Sequence, residues 1–115
     1  TLGWSSYCFG FLECDEVVEY VGTDVIPDVC NKTIEFAKRY DKKTKIYCKP
    51  SEDLLKSKIF STKYKEHFDV IFFSPPYYKL ELYNSNNQSQ SLKIVVFFYL
   101  ARLFFYLHNL ITPEV

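Results

Sequence analysis

Five consecutive residues, Ser74-Pro75-Pro76-Tyr77-Tyr78, combine groups that could handle an amino nitrogen. Prolines stiffen the backbone and carry no N–H, so the Ser74 hydroxyl and the Pro75 carbonyl can both accept hydrogen bonds from one amino group. Such acceptors favour a tetrahedral nitrogen whose lone pair can attack a methyl sulfonium, and alignment alone supplies about 7 to 11 kcal/mol of barrier reduction. Tyr77 offers a ring on which an extruded base can stack. The structural alternative is a proline-rich turn after a core strand.

Acidic and hydroxyl residues follow two other short runs of strand-forming residues. Asp24 ends the first run, where an acid before a helix can accept hydrogen bonds from a ribose diol. Ser51, Glu52 and Asp53 follow the second run, where their oxygens and backbone amides could read the edge of an adenine ring. Capping of the next helix remains an equally good explanation for each group when it is considered alone.

A sheet must bring these residues together, and the sequence predicts its strands. Apolar and β-branched runs predict strands over 19–24, 45–48 and, most clearly, 68–73, where Ser74 and the prolines end the run. A helix is predicted to begin at Pro27 and to carry Lys38 and Arg39 in its last turn, and further helices are predicted from Ser51 onward and over 92–110. The apolar face of the first of these helices is predicted to consist of Val29, Cys30, Thr33, Ile34, Phe36 and Ala37. Residues 1–11 suit a loop that leads into a short helix, and the polar stretch 77–91 suits an exposed loop.

The alternation of strands and helices predicts an α/β fold with a mostly parallel sheet. In such sheets ligands bind beyond the carboxyl ends of the strands. We therefore expect Asp24, Asp53 and Ser74 to share one cleft, with Tyr77 at its mouth.

Composition indicates a globular chain without a marked charge. Its 115 residues are 48% hydrophobic, and 14 basic residues balance 14 acidic ones, so no basic surface advertises nucleic-acid binding. The lysines at 42, 43, 45, 56, 58, 63 and 65 are best explained as solvated faces. Four irregularly spaced cysteines predict reduced core thiols and no metal site, and with no secretory signal they favour a cytoplasmic or nuclear location.

The apolar stretch 94–111 allows two interpretations. A membrane helix needs about 20 clean apolar residues, and Arg102 at its centre would cost about 2.5 to 3.5 kcal/mol. A buried helix is therefore favoured over a membrane-spanning one.

The ordered motifs resemble those of amino-group DNA methyltransferases, which use S-adenosylmethionine. The resemblance covers about residues 3–91, and its most specific part is the serine-proline-proline-tyrosine end of a hydrophobic strand. The segments that carry it are Gly3-Trp4-Ser5-Ser6, Glu19-Tyr20-Val21-Gly22-Thr23-Asp24, Ser51-Glu52-Asp53, Phe68-Asp69-Val70-Ile71-Phe72-Phe73-Ser74-Pro75-Pro76-Tyr77 and Glu81-Leu82-Tyr83.

The resemblance implies a role for each matching residue. Ser74, Pro75, Pro76 and Tyr77 would form the catalytic pocket for a base flipped out of DNA. Serine at the first motif position is more similar to cytosine-N4 than to adenine-N6 enzymes. The residues implied in binding S-adenosylmethionine are Gly3 and Trp4 in the cofactor loop, Asp24 and Val25 near the ribose, and Ser51, Glu52 and Asp53 near the adenine.

The resemblance also implies a partial Rossmann-like fold within a single domain, 1–115. Its parts would be a cofactor-binding part at 1–60, a catalytic strand and motif at 66–83, and an apolar helix at 92–111. Compared with the family, the first central strand and the C-terminal strands are missing, so we expect weak activity or none from this chain. Alternatives are a non-catalytic interaction or membrane-associated fragment and, ranked lower, methylation of RNA or of a protein amide.

Overall fold

A computed structural model describes residues 2–73 and 108–113 of the chain. The element order is α1 (Ser6–Leu12), β1 (Glu19–Asp24), α2 (Pro27–Ala37), β2 (Lys43–Cys48), α3 (Ser51–Lys56) and α4 (Lys58–Lys63). The chain divides into two compact units, Thr1–Pro50 and Ser51–Val115. This is a small α/β protein, as the sequence predicts. The division at Pro50 falls inside the predicted cofactor-binding part, 1–60.

The sheet of the first unit consists of two parallel strands. Residues pair in register from Glu19 with Lys43 to Asp24 with Cys48. The connection between them runs through α2, which is the usual crossover between parallel neighbours. The prediction of these two parallel strands is confirmed, and β2 begins two residues earlier than expected.

The core of the first unit lies between α1, α2 and the sheet. It consists of Leu2, Cys8, Leu12, Cys30, Ala37 and Ile46, with Phe9, Tyr20, Val29 and Tyr40 packed against it. The Phe9 and Phe36 rings, 4.0 Å apart between centroids, join the two helices. The polar anchor at the edge of this core is Lys42, whose Nζ donates to the Leu12 carbonyl at 2.9 Å and to the Cys14 carbonyl.

Helix α2 differs from the predicted helix in two respects. It ends at Ala37 with Lys38 as the C-cap, so neither Lys38 nor Arg39 lies in its last turn. Arg39 instead places its guanidinium 4.9 Å from the centre of the Phe36 ring. Ile34, predicted on the apolar face, is exposed, whereas Cys30, Thr33 and Ala37 are buried. The helical spacing therefore predicted the buried face of α2 correctly except at Ile34.

The second unit packs its two short helices around an aromatic cluster. Tyr64 is buried, and its ring lies 4.7 Å from Phe60 and 5.2 Å from Phe68, where the two rings stack. Ser57 caps α4 by accepting a hydrogen bond from the Phe60 amide at 3.4 Å. The predicted helix start at Ser51 is confirmed.

The predicted third strand, 68–73, is wrong. Phe68 makes one isolated parallel bridge with Ile111, supported by the Thr112 amide donating to the Phe68 carbonyl at 2.9 Å. Val70 and Phe72 are 63% and 57% exposed. A run of apolar residues becomes a strand only where a neighbour pairs with its backbone, and pairing in the described residues stops at this bridge.

The predicted polar loop and the predicted apolar helix lie wholly or largely outside the described residues. These are the loop at 77–91 and the apolar helix at 92–110, of which only 108–110 is described. No helix within 2–73 or 108–113 combines the length and apolar character that crossing a membrane requires.

Gly22 offers a direct test of how tightly the first unit packs. A Cβ at this position would lie 2.5 Å from Leu2 Cδ2 and 2.8 Å from Tyr20 Cε1, and Leu2 is 0% exposed. Because the fully buried Leu2 side chain would have to shift, we expect Gly22→Ala to lower the free energy of unfolding by about 1 to 3 kcal/mol, measured by urea denaturation.

Gly10 provides the matched control, because a Cβ there meets no atom within 4 Å and the residue lies inside α1. Gly10→Ala should raise the free energy of unfolding by about 0.5 to 1 kcal/mol. Equal effects of the two substitutions would contradict the packing of Leu2 on Gly22.

Candidate functional site

The segment before α1 is a turn of unusual backbone conformation. Gly3, Trp4 and Ser5 have φ angles of 53°, 54° and 73°, all in the left-handed region. That region is inexpensive only for glycine, and a Cβ at Gly3 would lie 2.6 Å from the Tyr7 ring. The turn therefore needs other contacts to hold it, and we call 2–5 the N-terminal turn.

Two hydroxyl contacts fix the N-terminal turn. Ser5 is buried, and its Oγ lies 2.5 Å from Thr33 Oγ1 on α2. Thr33 Oγ1 also lies 2.6 Å from the Val29 carbonyl, to which it donates. At the helix start, the Ser6 amide and hydroxyl both donate to the Gly3 carbonyl, at 3.1 and 2.6 Å. These bonds leave the Trp4 side chain, 67% exposed, at the tip.

Asp24 joins the N-terminal turn to the end of β1. Its Oδ2 accepts from the Leu2 amide at 3.3 Å, while its Oδ1 accepts from the Val25 and Ile26 amides at 2.8 and 3.2 Å. Helix α2 follows directly, with Ile26 as its N-cap and no side-chain cap of its own. Ribose binding and helix capping were the two alternatives that the sequence analysis gave for Asp24. The contacts of Asp24 show that it orders the backbone that leads into α2.

The Asp24 carboxylate keeps capacity for a further donor. A carboxylate has about four acceptor positions, and backbone amides occupy three of them. The side chain is only half-buried. A hydroxyl group of a ligand can therefore bind at this carboxylate without displacing the contacts that hold the turn.

A hydrogen bond between the ends of the two strands also stabilises the sheet beside Asp24. Thr23 Oγ1 donates to the Lys49 carbonyl at 2.5 Å, just beyond the last residue of β2. Tyr20, four residues before Asp24 in β1, is half-buried, and burial raises its pKa, with the Cys8 and Asp24 charges adding to the rise. Tyr20 is therefore a neutral phenol and a packing residue at neutral pH.

The second predicted group, Ser51, Glu52 and Asp53, lies at the start of α3 in the second unit. The Ser51 hydroxyl donates to Glu52 Oε2 at 3.2 Å, and Asp53 is exposed in the first turn. Acidic side chains in a first turn interact favourably with the helix dipole.

The structure brings together one part of the predicted site. Gly3 and Trp4 lie in the turn that Leu2 links to Asp24, and Val25 follows Asp24. Ser74, Pro75, Pro76 and Tyr77 lie outside the described residues. The shared cleft of Asp24, Asp53 and Ser74 stays a prediction.

Three contributors to this site escaped the sequence analysis, namely Leu2, Ser5 and Thr33. Gly22 was a readable signal for the first, since a glycine inside a strand often marks the close approach of another group. Thr33 was read as part of an apolar face, and nothing in the spacing of Ser5 and Thr33 signals their pairing.

The four cysteines only partly match the prediction of core thiols. Cys8 and Cys30 are buried, but Cys14 and Cys48 are exposed, and all four are free. Burial raises the pKa of Cys8 to about 11. Across the part of the chain that the structure describes, no group of three or more His, Cys, Asp or Glu side chains could hold a metal ion.

Comparisons with protein-family models, with curated proteins and with solved structures find no match for this chain.

The Ser5–Thr33 contact predicts that replacing Thr33 destabilises the chain, which tests whether this contact holds the N-terminal turn. Thr33→Val keeps the side-chain shape but leaves the buried Ser5 hydroxyl without this partner, so we expect a loss of about 1 to 3 kcal/mol in the free energy of unfolding. Urea denaturation measures it, with the exposed Thr62→Val as the control.

The double variant Ser5→Ala/Thr33→Val separates a hydrogen bond from simple loss of packing. Because it removes both buried polar groups, it should be more stable than Thr33→Val alone. A double variant whose loss equals the sum of the two single losses would show that the hydroxyls do not interact.

Proposed function

We propose that this chain binds S-adenosylmethionine and transfers its methyl group to the exocyclic amino group of a base in DNA, with cytosine N4 favoured over adenine N6. The partial Rossmann-like fold belongs to the same proposal, since two parallel strands joined through α2 are compatible with it. Because binding and transfer draw on different residues, they can be tested separately.

The observation that carries the proposal is the position of Asp24. It ends a parallel strand, precedes a helix, and contacts the N-terminal turn through the Leu2 amide. In α/β sheets this corner is where nucleotide-like ligands bind, and the acid there characteristically accepts the ribose hydroxyls. Three backbone amides hold the carboxylate in place, so little conformational freedom is lost when a diol binds.

The other residues proposed to hold the cofactor fit it by their chemistry. Gly3 can contribute its backbone groups, because the Tyr7 ring fills the space beside its Cα, and the exposed Trp4 ring offers an apolar face next to it. Glu52 and Asp53 supply carboxylates that can accept from the adenine amino group. Bound S-adenosylmethionine would supply an electrophilic methyl group on its sulfonium.

The proposed acceptor site rests on the residue types of the serine-proline-proline-tyrosine motif. The Ser74 hydroxyl and the Pro75 carbonyl accept from the amino group and keep its lone pair off the ring. Tyr77 stacks on the extruded base, a contact worth roughly 1 to 3 kcal/mol. Cytosine N4 is favoured because serine at position 74 resembles the cytosine-N4 enzymes at the first motif position, although a hydroxyl and a carboxylate can both accept from an amino group.

The proposed ribose contact predicts that Asp24→Asn weakens binding of S-adenosylmethionine. The variant loses the charge that strengthens hydrogen bonds to a diol, so we expect Kd to rise about 10- to 100-fold in calorimetric titration. Asp28→Asn, an exposed acid in the first turn of α2, removes the same charge and should leave Kd within about 2-fold.

Two results would remove the support for the cofactor proposal. One is saturable binding that Asp24→Asn does not weaken. The other is no binding by the unsubstituted chain while its urea denaturation remains cooperative, which would favour the non-catalytic interaction fragment.

The motif predicts that Ser74→Ala lowers methyl transfer without affecting cofactor binding. Loss of one acceptor for the amino group should reduce the rate about 10- to 100-fold while Kd for S-adenosylmethionine stays unchanged. The measurement uses cofactor labelled in its methyl group and duplex DNA, followed by digestion to nucleosides. Ser85→Ala, in the polar stretch after the motif, is the control.

The nucleoside that carries the label decides the substrate. N4-methylcytosine supports the serine argument, whereas N6-methyladenine would show that position 74 does not select the base. Label on RNA or on a glutamine amide, with none on DNA, would assign the motif to another amino substrate.

A further inference from the structure

Two thiols meet where α2 packs on the sheet of the first unit. Cys30 is the fourth residue of α2 and is 1% exposed, whereas Cys48 is the last residue of β2 and is exposed. The Cys48 side chain lies near enough to Cys30 to raise the pKa of the Cys30 thiol. A buried thiol is therefore a neighbour of an exposed one, and both are free.

The backbone fixes both cysteines beside Asp24. Cys48 is the register partner of Asp24 in the parallel ladder. Cys30 Sγ lies 3.6 Å from the Asp24 carbonyl oxygen, to which it donates. Neither cysteine sits on a loose segment, because each belongs to a regular element that packs against the other. Their proximity is thus a property of the fold, and it does not require a side chain to reach across open solvent.

We propose that Cys30 and Cys48 form an intramolecular disulfide when the chain meets a two-electron oxidant such as hydrogen peroxide. The pair would form this bond whether or not the chain binds S-adenosylmethionine.

The reaction begins on the exposed sulfur. The Cys48 thiolate attacks one peroxide oxygen, the O–O bond breaks, and the departing hydroxide takes up a proton to give water and a Cys48 sulfenic acid. Cys30 Sγ then attacks the Cys48 sulfur, the S–O bond breaks, and the departing hydroxide takes the Cys30 proton to give a second water. Overall two thiols are oxidised to a disulfide and one peroxide is reduced to two waters.

The environments of the two thiols assign this order. Burial raises the pKa of Cys30 to about 12, and its hydrogen bond with Cys48 adds to the rise. Cys30 is therefore a protonated, shielded thiol at neutral pH, and it reacts slowly with reagents from solution. Its available partner is the neighbouring Cys48 sulfur, which lies beside Asp24 as Cys30 does, so oxidation of Cys48 is resolved within the chain.

The bond would tie α2 to β2 and close the segment 30–48. Closing a loop of this length restricts the unfolded chain, so we expect the melting temperature of the oxidised chain to rise by about 5 to 15 °C. A thiol reductant should return it to the starting value.

The test treats the full chain with hydrogen peroxide, alkylates the remaining thiols in denaturant, and maps peptides by mass spectrometry without reduction. We expect a monomer with a Cys30–Cys48 linked peptide and a mass lower by about 2 Da, the two lost hydrogens. Cys48→Ser should abolish the link and the rise in melting temperature. Cys14→Ser, which removes an exposed cysteine whose thiol donates to the Gly10 carbonyl, should keep both.

Three outcomes would overturn the proposal. The first is Cys48 oxidised to sulfinic or sulfonic acid while Cys30 is still alkylated. The second is a Cys48–Cys48 bond between two chains. The third is both thiols unchanged under conditions that oxidise Cys14. The unsubstituted chain alone distinguishes these outcomes, so the result does not depend on whether a variant folds.

Discussion

One carboxylate holds the first unit together at the edge where its function is proposed. Asp24 accepts from the Leu2, Val25 and Ile26 amides, and so connects the N-terminal turn, the end of β1 and the start of α2. Hydrogen bonds from backbone amides to a charged acceptor are stronger than those between neutral groups. Because its partners come from both sides of the strand end, Asp24 fixes the position of the turn as well as the direction of the helix.

Packing beneath this carboxylate depends on the absence of a side chain at Gly22. Gly22 leaves the space that Leu2 fills, and Leu2 in turn brings its own amide to Asp24. Ser5 and Thr33 complete the arrangement from the side of α2. The left-handed residues of the N-terminal turn are thus held by the packing of Leu2 on Gly22 and by several hydrogen bonds. A strained backbone persists only where its surroundings determine it.

The predictions that came true rest on local patterns whose partners are also local. The strands ending at Asp24 and Cys48 pair with each other, and the helix from Pro27 packs on them, so periodicity and proline position were sufficient. The run 68–73 has a stronger apolar pattern, yet within the part of the chain that the structure describes only Phe68 pairs. Strand formation depends on a neighbour, and the sequence of one segment carries no information about where that neighbour lies.

The candidate site was likewise predictable only where a local sequence pattern determines it. Asp24 was found because an acid at the end of a strand has a recognisable position, but the bond from Leu2 depends on a turn with three left-handed residues. Two of them, Trp4 and Ser5, are residue types that rarely adopt this conformation, so local preference argued against it. Tertiary contacts overrode that preference.

The single tryptophan of the chain stands at the tip of this turn, close in sequence to the residue that binds Asp24. Its indole is mostly in water in the folded chain, so its emission should change little on unfolding. A molecule that settles against the turn would instead screen the ring from solvent. The fluorescence of this tryptophan therefore reports whether a ligand is bound at the end of the sheet, and it reports folding poorly.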